Sequence, residues 1–275
     1  MDGCACRGTA GFAHVSCLAE QAKILYDEAE ENNLNGKARD ARWARWYKCS
    51  LCEQDYHGVV SCALGWACWK TYLGRPEGDG ARDSAMTGLG NGLGEEGHQG
   101  ERIKILEIQL ANNVRFGRSK ERFLKTKTNL ADCYGGLGMK EQALAIYREI
   151  YDRSAAISPA IPVEETFQQV INLASSLAET GGYEEAKSLL REQIPRARRA
   201  LGTEHENYIK LLWCYAATLS KCGESRDDRA EAVTSFEELL KVSQRVFGPA
   251  HPFTNAIQQN LELAISKLAA FDAAQ

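Results

Sequence analysis

The sequence predicts a mostly α-helical protein in which a small zinc-bound module is followed by an α-solenoid of antiparallel helical hairpins. Three observations carry this. Cysteine is concentrated at one end: of 10 residues, Cys4, Cys6, Cys17, Cys49, Cys52, Cys62 and Cys68 fall in the first quarter of the chain. From about Glu101 onward, apolar residues recur at spacings of three and four, as in Ile103, Leu106, Ile108 and Leu110, the pattern of amphipathic helices. Glycines 97, 138, 181 and 223 close similar blocks at intervals of 41, 43 and 42 residues, a period that marks stacked two-helix units.

Composition bounds the function. At 275 residues the chain is long enough for one large domain or two ordinary ones. With 44% apolar and 25% charged residues, neither a disordered chain nor a fibre is indicated. The net charge of −4 leaves no basic footprint for nucleic acid. Met1 to Arg7 shows no basic segment followed by an apolar run, so no secretory signal is read. The longest charge-free apolar stretch, Tyr56 to Trp69, is too short to span a membrane. The expectation is a soluble cytoplasmic protein with reduced thiols.

Three regions differ in texture. Residues 1–75 hold the clustered cysteines and Trp43, Trp46, Trp66 and Trp69, with a helix expected from Val59 to Leu73. Residues 76–100 are dense in glycine and read as a linker running into a weak helix, the degenerate first half of a hairpin. Residues 101–275 are repetitive. Asn129 to Gly138, Asn172 to Gly181 and Cys214 to Gly223 align as first helices, each closed by a glycine that accommodates a left-handed residue. Second helices are expected at Glu141–Tyr151, Tyr183–Leu201 and Arg229–Phe247.

These blocks resemble tetratricopeptide repeats, specifically the longer, kinesin-light-chain type. The resemblance rests on Leu130/Ala131, Tyr134, Ala143 and Tyr147, repeated as Leu173/Ala174, Leu177, Ala186 and Leu190. It rests also on the linkers Leu201-Gly202-Thr203-Glu204-His205 and Phe247-Gly248-Pro249-Ala250-His251-Pro252-Phe253-Thr254. A stack of such hairpins leaves the first helices lining a concave groove suited to a peptide or protein partner. The candidates on that face are Lys125, Thr128, Asn129, Asp132, Gln168, Asn172, Ser175, Lys210 and Trp213. An amide such as Asn129 or Asn172 can both donate to and accept from a bound backbone. His205 and His251 recur with the repeat and read as packed linker residues.

The N-terminal region carries three metal half-sites: Cys4-x-Cys6, His14-x₂-Cys17 and Cys49-x₂-Cys52. Zinc takes four N/S ligands in a tetrahedron, and a tight pair supplies two. The spacing resembles the RING-CH-type zinc finger, supported by Arg7-Gly8 and Phe12-x-His14. In the cross-braced fold that this resemblance implies, Cys4, Cys6, Cys49 and Cys52 make one full zinc site. His14 and Cys17 belong to a second, incomplete one, whose opening Cys-x₂-Cys would lie upstream of Met1 and for which Cys62, Cys68 or His57 are candidate substitutes. RING-CH relatives commonly hold a ubiquitin-conjugating enzyme, which gives an alternative reading as a ubiquitin ligase whose repeats recruit substrate.

Other constellations are weaker. Gly92-x-Gly94-x-x-Gly97 lacks the preceding strand of a dinucleotide fingerprint. A hydrolase built on Cys52 and His57 would sacrifice a zinc ligand, so no catalytic residue is assigned. Asp27 to Glu31 reads as a solvated helix face. The combined expectation is a zinc-binding adaptor that holds a protein or peptide on its repeats.

Overall fold

A computed structural model describes residues 14–157, 162–222 and 225–274. The described residues contain twelve α-helices and one 3₁₀ turn. Their extended pairing is limited to an isolated antiparallel bridge between Lys48 and Asp55. The mostly α architecture of antiparallel hairpins is the one the repeats predict. None of the described helices is long and apolar enough to cross a membrane. The chain divides after Leu137 into two compact units.

The first unit contains α1 (Val15–Glu31), α2 (Gly36–Trp43), the 3₁₀ turn (Ala44–Trp46), α3 (Gly58–Tyr72), α4 (Gly80–Glu95), α5 (Gln99–Arg115) and α6 (Lys120–Gly136). Its N-terminal half is organised by aromatic packing. The Tyr26 and Trp43 rings meet edge to face at 4.8 Å, and Tyr72 lies 5.3 Å from Trp43 and 5.8 Å from Trp46. Such pairs add to the area they bury because ring edges carry positive charge and faces negative. The acidic run on α1 is more than a solvated face. Glu30 accepts from Arg75 at 2.5 Å and from Arg39 at 3.0 Å, and the Arg75 hydrogen bonds hold its carboxyl below the usual carboxylate value. Arg75 is 45 residues away, a partner that helical periodicity cannot reveal.

The Gly-rich stretch differs from a linker in its structure. It forms α4, with the Asp79 side chain accepting from the Ala81 and Arg82 amides at its N-terminus. The glycines let α4 approach α3. A Cβ on Gly92 would stand 2.8 Å from Cys62 Cα, and one on Gly65 would stand 2.9 Å from the Gly88 carbonyl oxygen. Composition shows the glycines but not their use, because close helix crossing and chain flexibility draw on the same residue.

The second unit contains α7 (Lys140–Ile157), α8 (Val163–Glu179), α9 (Tyr183–Leu201), α10 (Glu206–Cys222), α11 (Arg226–Val246) and α12 (Pro252–Ala273). Its core is continuous from Phe167 and Val170 on α8, through Tyr208, Leu211 and Leu219 on α10, to Phe236 and Leu239 on α11 and Ile257 on α12. A polar clasp crosses three helices: Arg191 Nε donates to the Tyr215 hydroxyl at 2.6 Å, which donates to Glu231 at 2.5 Å. Burial pushes the Tyr215 hydroxyl up to about 12.

The linker histidines have a definite task. Gly202 and Gly248 take φ of 83° and 92°, ending α9 and α11 in the left-handed region that favours glycine. Three residues later, His205 Nδ1 accepts the Asn207 amide at 3.1 Å and His251 Nδ1 accepts the Phe253 amide at 3.2 Å. Each imidazole therefore caps the following helix, and His251 also stacks on Phe247 with ring centroids 5.1 Å apart. Replacing His251 with alanine is expected to cost about 1 kcal/mol, the usual worth of an N-cap. His251→Asn should retain most of that stability in thermal unfolding, and equal losses in the two variants would refute capping as its role.

Candidate functional site

The inner faces of the first helices are set by the helical period. Counted back from each closing glycine, positions 13, 9 and 6 are Ser84, Gly88 and Asn91 on α4, Lys125, Asn129 and Asp132 on α6, and Gln168, Asn172 and Ser175 on α8. These spacings of four and three stack side chains on one helical face. All except Gly88 are polar.

In the first unit this face opens on a cavity of about 530 Å³, a size typical of ligand sites. Ser84, Thr87, Gly88 and Asn91 of α4 line one wall, and Ser119 with Glu121, Arg122, Lys125, Thr126 and Asn129 of α6 another, so that the α6 wall carries both a carboxylate and cations. Ser61, Gly65 and Cys68 of α3, again four and three apart, contribute a third, and Trp43, Trp46 and Tyr47 close one side. The polar lining is partly locked from behind. Gln109 Nε2 donates to Thr87 Oγ1 at 2.7 Å, and Asn113 Nδ2 donates to Thr126 Oγ1 at 3.1 Å. The buried carboxylate of Asp83 is paired with Arg122 and lies 3.8 Å from Arg118. Arg122 is thereby neutralised within the protein.

Of the groove candidates, Lys125 and Asn129 lie in this cavity. Thr128 does not line it; its hydroxyl donates to the Leu124 carbonyl one turn back at 3.1 Å. Asp132 is exposed beyond it. In the second unit, Gln168 Nε2 donates to Asn172 Oδ1 at 2.8 Å. Ser175 Oγ lies 3.4 Å from Cys214 Sγ, joining α8 to α10. Lys210 is paired with Glu206 at 2.7 Å. Trp213 is half-buried, its ring 6.0 Å from Phe236 and 5.4 Å from Phe253, so it belongs to the hydrophobic core. Thr128 and Trp213 share position 10 before the closing glycine, one residue off the inner stripe. The α3 wall and the aromatic side of the cavity escape sequence reasoning because they lie outside the repeat.

Of the metal half-sites, Cys4 and Cys6 lie outside the described residues. Cys49 and Cys52 flank a tight hairpin: the Cys49 amide donates to the Gln54 carbonyl at 2.9 Å and Tyr56 to that of Tyr47 at 2.8 Å. Within it, the Leu51 amide points at Cys49 Sγ at 3.5 Å, an arrangement that stabilises sulfur carrying negative charge. Glu53 closes the turn at φ of 56°. His14 stands at the N-cap position of α1 without a capping bond from its side chain, its Nδ1 4.0 Å from Cys17 Sγ one turn on. Among the described residues no three His, Cys, Asp or Glu side chains converge as a metal group. Cys62, Cys68 and His57 are therefore not gathered around His14 and Cys17. Cys62 lies where α4 crosses α3, and Cys68 is packed in the aromatic core with its thiol pushed up by burial.

The repeated hairpin of two helices, glycine-closed and histidine-capped, is now complete in residues 171–207. A family model described as tetratricopeptide repeat matches residues 171–207 and 224–253. Both segments are tetratricopeptide-type repeats. Their geometry recurs in solved structures. Nearly identical TPR-like repeats assigned to a Podosopora anserina kinesin light chain, solved in a singly substituted form, give a TM-score of 0.58 at 16% identity, over 86% of this chain and 98% of that one. BtubC (BKLC) from P. vanneervenii gives 0.53 at 13% identity, over 96% and 92% of the two chains. At these identities the likeness is one of fold. A comparison with curated protein sequences gives no match. The tetratricopeptide-type hairpins account for the inner-face register but not for the aromatic wall, which lies before them in sequence.

Proposed function

We propose that this protein is a zinc-binding interaction adaptor whose tetratricopeptide-type hairpins hold a peptide or protein partner. The observation that carries the reading is the inner stripe at positions 13, 9 and 6, repeated on α4, α6 and α8 and polar at every place but Gly88. Asn129 and Asn172 occupy the same position in that stripe and suit an extended backbone. Panning a random linear peptide library on the full chain tests this. Enriched peptides should lose at least ~10-fold affinity on substitution of inner-stripe side chains, as a centrally placed contact does. Affinities unmoved by every such substitution would overturn it.

The zinc reading is supported by the Cys49–Cys52 hairpin, which places both cysteines in one tight turn. Cys4 and Cys6 would complete a tetrahedral set with them. Zinc bound there would staple a small segment whose own core is thin. Elemental analysis of the purified chain is expected to find about one zinc per chain, the count of a single closed tetrahedral site. Joint Cys49→Ser and Cys52→Ser replacement should reduce this to background. A metal-free chain of normal helicity would remove the proposal.

A further inference from the structure

We infer that the cavity of the first unit binds a small zwitterion, a free α-amino acid with an aromatic or large aliphatic side chain. This goes beyond the peptide adaptor and does not depend on it, because the ligand is held by one cavity and its test uses no peptide.

Two opposite charges on one wall carry the inference. Glu121, Lys125 and Asn129 follow one another at intervals of four residues on α6, so they share a helical face, and all three line the cavity. A Glu four residues ahead of a Lys is the favourable order for an ion pair on a helix. Glu206 and Lys210 have that order on α10 and pair at 2.7 Å. Glu121 and Lys125 have it too, yet neither side chain makes a hydrogen bond or an ion pair among the described residues. Both are exposed, so a ligand can reach them.

These charges decide the class of ligand. An anion drawn to Lys125 meets Glu121, a cation drawn to Glu121 meets Lys125, and an uncharged molecule pairs with neither. An ammonium and a carboxylate carried on one carbon answer both at once. Arg122 leaves this balance undisturbed, since Asp83 occupies it. Asn129, one turn beyond Lys125, adds an amide N–H for the same carboxylate.

The aromatic side receives the ligand's side chain. Trp43 and Trp46 pack with Ala81 and Ala85 of α4, and Asp83, between those alanines in sequence, is the residue tied to Arg122 beside Glu121. The aromatic side and the charged wall therefore meet at the same end of the cavity. Trp46 is buried, but Trp43 is half-buried and Tyr47 is 44% exposed, which leaves ring surface for an apolar group.

The probes are phenylalanine, leucine, aspartate, lysine, N-acetylphenylalanine and phenylalaninamide, titrated calorimetrically into the full chain. Phenylalanine and leucine are expected to bind saturably with a Kd of ~1 mM or tighter, an ordinary affinity for ligands this small, and aspartate and lysine more weakly. Acetylation removes the ammonium and amidation the carboxylate, and each should weaken phenylalanine at least ~10-fold, as loss of a charged hydrogen bond does. Glu121→Gln should erase the penalty of acetylation, and Lys125→Met that of amidation. Gly88 lies on the cavity wall, where a Cβ would meet nothing within 4 Å, so Gly88→Leu should fill the cavity and abolish binding with the circular dichroism spectrum unchanged. Absence of saturable binding by phenylalanine and leucine overturns the proposal. So does equal binding of phenylalanine and its two derivatives, tighter binding of aspartate or lysine, or binding that survives Gly88→Leu.

Discussion

Phe236→Ala is expected to lower the stability of the second unit by about 3 to 5 kcal/mol, the range for deleting a buried aromatic side chain. Phe236 is fully buried on α11 at the centre of the cluster that joins α8, α10, α11 and α12. Trp213 of α10 leans on its ring edge to face, so the substitution removes a packing partner as well as its own buried area. Stacked hairpins relax poorly around such a loss. Each contacts mainly its neighbours, and a cavity in one layer cannot be closed from elsewhere. A fall in Tm of roughly 10 °C or more follows for a unit of this size. Leu263→Ala, on the half-exposed face of α12, should change stability by less than about 0.5 kcal/mol. Thermal unfolding of both variants by circular dichroism checks the pair. A Phe236→Ala loss below about 1 kcal/mol, too small for a truncated core aromatic, would contradict this packing.

The repeats are legible in the sequence because their signals are local. Tyr183–Leu201 is read with the boundaries the structure gives it. Gly97, Gly138 and Gly181, read as the ends of aligned blocks, take φ of 78°, 76° and 84°, as helix-closing glycines do. His205 and His251 are recognisable as linker residues from recurrence, but their capping bonds are a matter of geometry. What stays hidden depends on distant partners. Glu30 looks like one member of an acidic run until Arg75 is folded against it. Trp213 looks like a groove residue because it is large and falls one position from the inner stripe, yet Phe236 and Phe253 claim it. The cavity is half legible: Lys125 and Asn129 follow from the repeat register. Tyr47, Ser61 and Asn91 do not, because two of them precede the repeats and the third sits in the stretch that composition assigns to a linker.

Gly92→Leu is expected to separate the two uses of glycine in that stretch. Its new Cβ would stand 2.8 Å from both Cys62 Cα and the Ser61 carbonyl oxygen, and 3.1 Å from the Cys62 amide nitrogen. These are backbone atoms of α3, which cannot rotate away as a side chain would, so α4 must part from α3. Gly94 provides the contrast: the atoms crowding its Cβ belong to the Arg102 side chain, which can swing aside. Overpacking of this kind costs up to about 3 kcal/mol or somewhat more, a Tm loss of roughly 10 °C. Gly88→Ala, four residues earlier on the same helix, meets open space and should gain up to about 1 kcal/mol from helix propensity. A flexible linker would tolerate both changes equally, and equal melting temperatures for the two variants would restore that reading. The crossing also bears on binding. Ser61 and Gly65 of α3 and Ser84, Gly88 and Asn91 of α4 line the same cavity, so prying the helices apart alters its width. Gly92→Leu should therefore weaken peptide binding even where its folded fraction is restored by cooling, whereas Gly94→Ala should leave both binding and melting close to the parent.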